Sequence, residues 1–433
     1  MVLHQNNQVL LYIASIFLST PVYVFCFTLQ SQVHHVPGLD GTGITSILPI
    51  PPRKSDSNHI EFYFGTKRGK IKYASVLPDL TIESAIPDLY AADFSVQIFD
   101  VSDTHISSDT KIVLKPYPVY SMTIVPKLLT SANMDHDLLS GSGDRYITVW
   151  EAMKNSPNDT MKLNIKQQLG PHTGWVKDVV SSTINNDNHV IFSIGCNCIE
   201  VWLYTQNFYK HSCKLKIESS VKMGSTLSSD LLCLAVCSCN DNAIKSDTSD
   251  TYLFAGGVDG RLHRWLLPKS ANAFSKNSQF INAGVAAVHE GRLNNLLVCN
   301  EFCAIVSIGY DGRLVCRVMT DSPFEDWKTS SINMNDQLQS VTAIKLSASC
   351  IVCENAYRAL ITVGSSCGKV FLVQLSRIGS DSVELLLLDT VDVNQSKDEL
   401  YGVHTLCSFP LETKTNLIAI GHSNGISLLM IRF

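Results

Sequence analysis

The chain has 433 residues, 45% of them hydrophobic and 17% charged, a balance that excludes a disordered or low-complexity protein. Its formal charge of −5 at pH 7 gives no overall basic field, so attraction of nucleic acid or anionic lipid by net charge is excluded and any such contact has to be local.

From the N-terminus, the first feature is an uncharged run from Val9 to Leu29, "VLLYIASIFLSTPVYVFCFTL". Its length suits a membrane span or a secretory leader. Pro21 speaks against a straight spanning helix, and residues 1–26 read as a cleavable leader ending at Cys26, although the leader holds no Lys or Arg. A compatible alternative makes the stretch partly a strand of the folded body, which begins at Phe27. Cleavage before Phe27 resembles the presequences of algal secondary plastids, which implies the secretory pathway and onward delivery to a plastid. A chain that keeps Met1 would be cytoplasmic.

From residue 60 onward a pattern repeats: a short apolar run, Gly, a polar turn, then an alternating run. It reads "IEFYFGTKRGKIKYA" at 60–74, "DLLSGSGDRYITVW" at 137–150, "VIFSIGCNCIEVW" at 190–202 and "YLFAGGVDGRLHRW" at 252–265. "CAIVSIGYDGRLVCR" at 303–317, "LITVGSSCGKVFLV" at 360–373 and "LIAIGHSNGISLLM" at 417–430 complete the series. Each is a tight hairpin, because Gly, Asn and Asp tolerate the positive φ that such a turn needs. The aligned glycines are Gly65, Gly141, Gly195, Gly256, Gly309, Gly364 and Gly421, evenly spaced but for a longer first interval. That interval includes "LYAADFSVQIFDVS" and reads as an insertion over 78–110 in the first repeat rather than as an eighth unit.

Hairpins at a steady period of this order, with tryptophan closing a strand at Trp150, Trp202 and Trp265, predict an all-β, seven-bladed β-propeller of four-stranded antiparallel blades. These segments resemble WD40 repeats over residues 27–433, with divergent copies. The resemblance implies that Asp144, Asp259 and Asp311 sit in hairpin turns. It also implies a structural network of His, Ser, Asp and Trp, represented in parts by His172, Ser193 and Trp202 and by His289, Ser307 and Asp311. The last repeat has only three strands before Phe433, so residues 27–36 are expected to supply its outer strand and close the ring.

By the same resemblance the hairpin turns and the segments before each inner strand share one face. The exposed candidates for protein interaction there are Lys67, Arg68, Arg145, Trp175, Lys177, Arg261, Tyr310, Arg313 and His422. Aromatics and arginine anchor interfaces through large buried area and directional hydrogen bonds. The function implied is a non-catalytic scaffold binding proteins or peptides, probing two alternatives: a nucleic-acid-associated adaptor using Lys67, Arg68, Lys70 and Lys72, or a hydrolase with its site in the channel. No nucleophile with its base and no paired carboxylates stand out, and "GSGDRYITVW" leads into a strand, not a phosphate-binding helix. Neither cofactor nor metal is expected. Cys233, Cys237, Cys299, Cys303, Cys316 and Cys407 lie in or beside apolar runs and read as packing. The close pairs Cys196 with Cys198, Cys237 with Cys239 and Cys350 with Cys353 lack a second pair at zinc spacing,.

Overall fold

In the computed structural model the described residues are 2–5, 8–11, 32–36, 39, 43–51, 60–78, 94–100, 117–127, 136–153, 162–185, 188–205, 208–216, 230–238, 250–270, 273–274, 280–299, 302–320, 323–344, 358–378, 382–393, 402–412 and 415–432. Among them the chain forms seven four-stranded antiparallel sheets, the blades, and one separate two-stranded hairpin of Val2–Gln5 with Gln8–Leu11. In the first six blades the strands follow chain order from the channel outward, and in the seventh the first three do. Inner strands of successive blades touch one another all the way round, including Val403–Glu412 of the seventh against Ile44–Pro49 of the first. The protein is therefore a closed seven-bladed propeller.

Closure comes from the N-terminal side. Gln32–His35 pairs antiparallel with Gly425–Arg432 and completes the seventh blade, as expected. Within the segment read as an insertion, Phe94–Asp100 pairs with Ile71–Pro78 as the first blade's outer strand, while 79–93 and 101–116 lie outside the described residues. So do residues 12–26 of the leader reading and 27–31 of the expected closing strand. Among the described residues no helix is long and apolar enough to cross a membrane.

The core is not one body but seven layers, each shared by two neighbouring blades. Phe62, Phe64 and Ala74 of the first blade, for example, pack on Leu417, Ala419 and Leu428 of the seventh, and Phe192 and Val201 of the third pack on Leu253 and Trp265 of the fourth. No blade buries its faces alone, which is why a short repeat can recur only as an array.

The recurring glycine now has a physical reason. A Cβ on Gly65 would lie 2.7 Å from Val119 Cβ, one on Gly141 2.7 Å from Val176 Cγ1, one on Gly364 2.8 Å from Val403 Cβ, and one on Gly421 2.8 Å from Ile44 Cγ2. In each case the neighbour is the first residue of the next blade's inner strand. The glycine lets two blades approach backbone to side chain. In the third and fifth blades the aligned glycine is one place later: Gly195 faces Val176 and Gly309 faces Leu293, whereas Gly65, Gly141, Gly256, Gly364 and Gly421 face the residue beyond the bulge. There the space serves a histidine, since a Cβ would lie 2.8 Å from His172 Cβ or 2.7 Å from His289 Cγ.

Gly364→Ala should lower stability by about 1–3 kcal/mol through overpacking against Val403. The denaturant midpoint relative to the unmutated protein checks this.

Candidate docking face

Each inner strand bulges at its second residue, so the ladder skips Thr45, Tyr120, Lys177, Leu232, Asn294, Gln339 and His404. A bulge leaves its residue unpaired and re-aims the side chain. All seven are half-buried. They rim the channel at the end where the hairpin turns lie, because the strands opposite them run directly into those turns.

Several rim residues bond to their neighbours. Thr45 donates to the carbonyl of Val119, and Asn294 Nδ2 donates to Leu338 O at 2.6 Å. Gln339 Oε1 lies 3.2 Å from His404 Nδ1, whose Nε2 is 2.9 Å from Ser423 Oγ. Lys67 donates to the same hydroxyl at 3.4 Å. Burial, with the Lys67 charge adding, pushes the His404 imidazole down to about 4.

In the second and third blades the rim is aromatic and basic. Tyr120 stacks on Trp175, with ring centroids 5.9 Å apart and planes 22° from parallel. The Lys177 ammonium lies 4.0 Å from the Tyr120 centroid and 4.6 Å from that of Trp175. Burial lowers its proton affinity, and the charge of Arg292 adds to the effect. Trp175 is 53% exposed, Tyr310 48% and Tyr117 42%. Tyr310 N–H donates to Arg292 O at 2.8 Å, which places this turn beside the start of the fifth blade.

One residue past the Lys177 bulge, Asp178 joins three blades. Its carboxylate accepts from Ser121 Oγ at 2.7 Å in the second blade, from Leu234 N at 2.7 Å in the fourth, and from Val179 N at 2.8 Å in its own. Burial raises the carboxyl above its usual range despite those donors.

The polar residues under the face form the partial networks. His172 Nε2 lies 2.8 Å from Ser193 Oγ, which also accepts from Trp202 Nε1 at 3.1 Å. His289 Nε2 lies 2.9 Å from Ser307 Oγ and its Nδ1 2.9 Å from Asp311 Oδ1. Trp150 Nε1 donates to Ser140 Oγ at 2.8 Å, whereas Trp265 stacks on His263 with centroids 5.8 Å apart. Burial lowers both His172 and His289. Burial alone would raise Asp311, but the Glu290 N–H and His289 hold it below the usual carboxylate range. In the turns, Asp144, Asp259 and Asp311 accept from the N–H two residues on, at 2.9, 3.1 and 3.2 Å, which is the reason for a short carboxylate there.

Of the other sequence candidates, Lys67, Arg68 and Arg145 are exposed on hairpin turns. Arg261 and Arg313 are half-buried, Arg261 3.7 Å from Asp259 and Arg313 donating to Ser331 at 3.1 Å. Lys70 is exposed and Lys72 half-buried, so the basic hairpin is only partly open. His422 is a correction: it is 2% exposed, with Nε2 2.9 Å from Ser427 Oγ, because it ends a strand packed between blades. Sequence reading missed Tyr117, Tyr120, Asp178, Arg292 and His404. The bulge column offers no shared residue type, and only its place two residues into each inner strand could have found it.

Among the described residues no group of three or more His, Cys, Asp or Glu is placed to hold a metal. Cys239, Cys350 and Cys353 lie outside those residues. Burial pushes the Cys213 thiol up to about 11 and that of Cys407 to about 12, so these thiols stay protonated and inert.

Compared with protein-family models and with curated protein sequences, the chain matches none. Among solved structures it resembles the crystal structure of Sqt1 from Chaetomium thermophilum, at 12% identity and a TM-score of 0.49, over 88% of this chain and 80% of that one. A likeness so distant bears no weight, and the fold rests on the strand pairing itself.

Two measurements test this geometry. Asp178→Ala should cost about 1–3 kcal/mol, since it strands two backbone donors and a hydroxyl, with Asp178→Asn recovering part of the loss in denaturant unfolding. His404 is held below its unfolded value of 6.5, so the unfolded chain takes the proton first, and stability present at neutral pH should be lost as pH falls from 6.5 toward about 4. His404→Gln should flatten that part of the stability profile.

Proposed function

We propose that this propeller is a WD40-type, non-catalytic scaffold that docks proteins or peptides, within a multiprotein assembly, on the face carrying the hairpin turns. The observation that carries the reading is Trp175, a tryptophan 53% exposed at the channel mouth and stacked on Tyr120. A large aromatic held in place yet open to solvent costs little further entropy to bury, which suits an interface anchor. Tyr117 and Tyr310 extend the same face. The WD40 likeness is supported by the His172–Ser193–Trp202 and His289–Ser307–Asp311 bonds, which tie polar side chains into the blades and leave none of them presented for chemistry.

Trp175→Ala should weaken the main partner by about 2 kcal/mol, roughly thirty-fold, with a stability change of about 1 kcal/mol or less. Partner recovery and the thermal midpoint, measured together for Trp175→Ala and Arg313→Glu, separate loss of binding from loss of fold. Unchanged recovery in both variants would move the docking surface elsewhere.

A further inference from the structure

The rim of the channel carries an unbalanced pair of cations. Lys177 projects from the bulge of the third blade into the Tyr120–Trp175 stack, and its ammonium lies 4.0 and 4.6 Å from the two ring centroids. Among the described residues no carboxylate lies within 4.0 Å of Lys177, although Asp178 is its neighbour in sequence: the Asp178 carboxylate is turned onto Ser121, Val179 N and Leu234 N. Arg292 is exposed at the start of the fifth blade, and among the described residues it too has no ion pair. The two side chains are near enough for Arg292 to disfavour the Lys177 proton. Other cations of the face have polar partners: Arg261 is 3.7 Å from Asp259, while Lys67 and Arg313 donate to the hydroxyls of Ser423 and Ser331.

Two like charges on one rim, one of them desolvated against aromatic rings, repel in the free protein, and an incoming anion relieves that cost. The rings beside them offer apolar surface to the residues flanking that anion. A free inorganic anion would use the charges and leave Trp175 exposed; a cationic ligand would find the ring faces already taken by Lys177.

We infer that the Trp175–Lys177–Arg292 rim takes an acidic peptide segment, an Asp or Glu carboxylate seated between Lys177 and Arg292 with a neighbouring apolar side chain laid on Trp175. This deepens the docking reading and rests on it.

The test uses the full chain and fluorescent peptide libraries that share an apolar flank and differ at the centre: Glu, Gln, phosphoserine or Lys. Fluorescence anisotropy should rank Glu at least about tenfold above Gln and Lys, with affinity falling as salt rises, as a charge contact requires. Arg292→Glu, at an exposed position, and Lys177→Glu should turn the preference toward Lys, with the thermal midpoint read alongside. If Lys177→Glu does not fold, Arg292→Glu and the salt series decide alone. Equal binding of Glu, Gln and Lys peptides, a preference for phosphoserine that Glu does not share, no binding of any library, or a Glu preference indifferent to Arg292→Glu would overturn the inference. Because Trp175→Ala reports on partner docking independently, loss of the natural partner in that variant alongside a charge-blind peptide profile would sink the acidic reading and leave the docking face standing.

Discussion

The structure depends on how closely one blade can lie against the next. Each hydrophobic layer belongs to two blades, so the fold holds only if the inner strand of one reaches the second strand of its neighbour. At Gly65, Gly141, Gly256, Gly364 and Gly421 that approach leaves no room for a Cβ, and the residues they admit, Val119, Val176, Leu293, Val403 and Ile44, start the next inner strands. The channel rim follows from the same packing. With the first residue of each inner strand pinned in the interblade layer and the third facing the neighbouring strand, the second is left over, and the bulge turns it into the channel mouth.

The third and fifth blades solve the interface differently. Moving the glycine one place along gives His172 and His289 room to reach Ser193 and Ser307. In the fifth blade the tryptophan column holds Arg317, which is 5% exposed and donates to Phe324 O at 2.5 Å. Phe324 and Trp327, from a short 3-10 turn at Phe324–Asp326 and just beyond it, join the layer that it shares with the fourth blade. Arg264 of that blade stacks 4.6 Å from the Trp327 centroid. A repeat that loses one member of its network is thus refilled from a connecting segment.

Sequence made the architecture legible because hairpin turns are local: Asp144, Asp259 and Asp311 each bond two residues on, and such chemistry can be read from adjacent letters. Trp175 was legible for the same reason, as an aromatic just before an inner strand. The rest of the face was not. Tyr120 matters because Trp175 and Lys177 lie on it, and His404 because Ser423 and Gln339 reach it, and these partners are set by the ring rather than by the chain around each residue. His422 misled for a related reason: it sits beside a turn in sequence, yet its side chain enters the layer between blades and bonds Ser427. The glycine alignment hid its own exception, since a shift of one place is invisible until strand register is known.

Closure by Gln32–His35 sets an order on assembly. The strand of the ring that leaves the ribosome earliest is paired with the ring's last strand, Gly425–Arg432, so the seventh blade cannot be completed until that strand has emerged. Joining ends so far apart adds only slowly to the entropic cost as the loop lengthens, but it defers the final contacts and slows the last step of folding. Until then the growing array presents an unfinished blade at its front, where chaperones have the most to protect. Once made, the clasp turns a row of blades with two open ends into a ring with none, and a cut anywhere in the outer loops leaves both fragments held by their neighbours on either side.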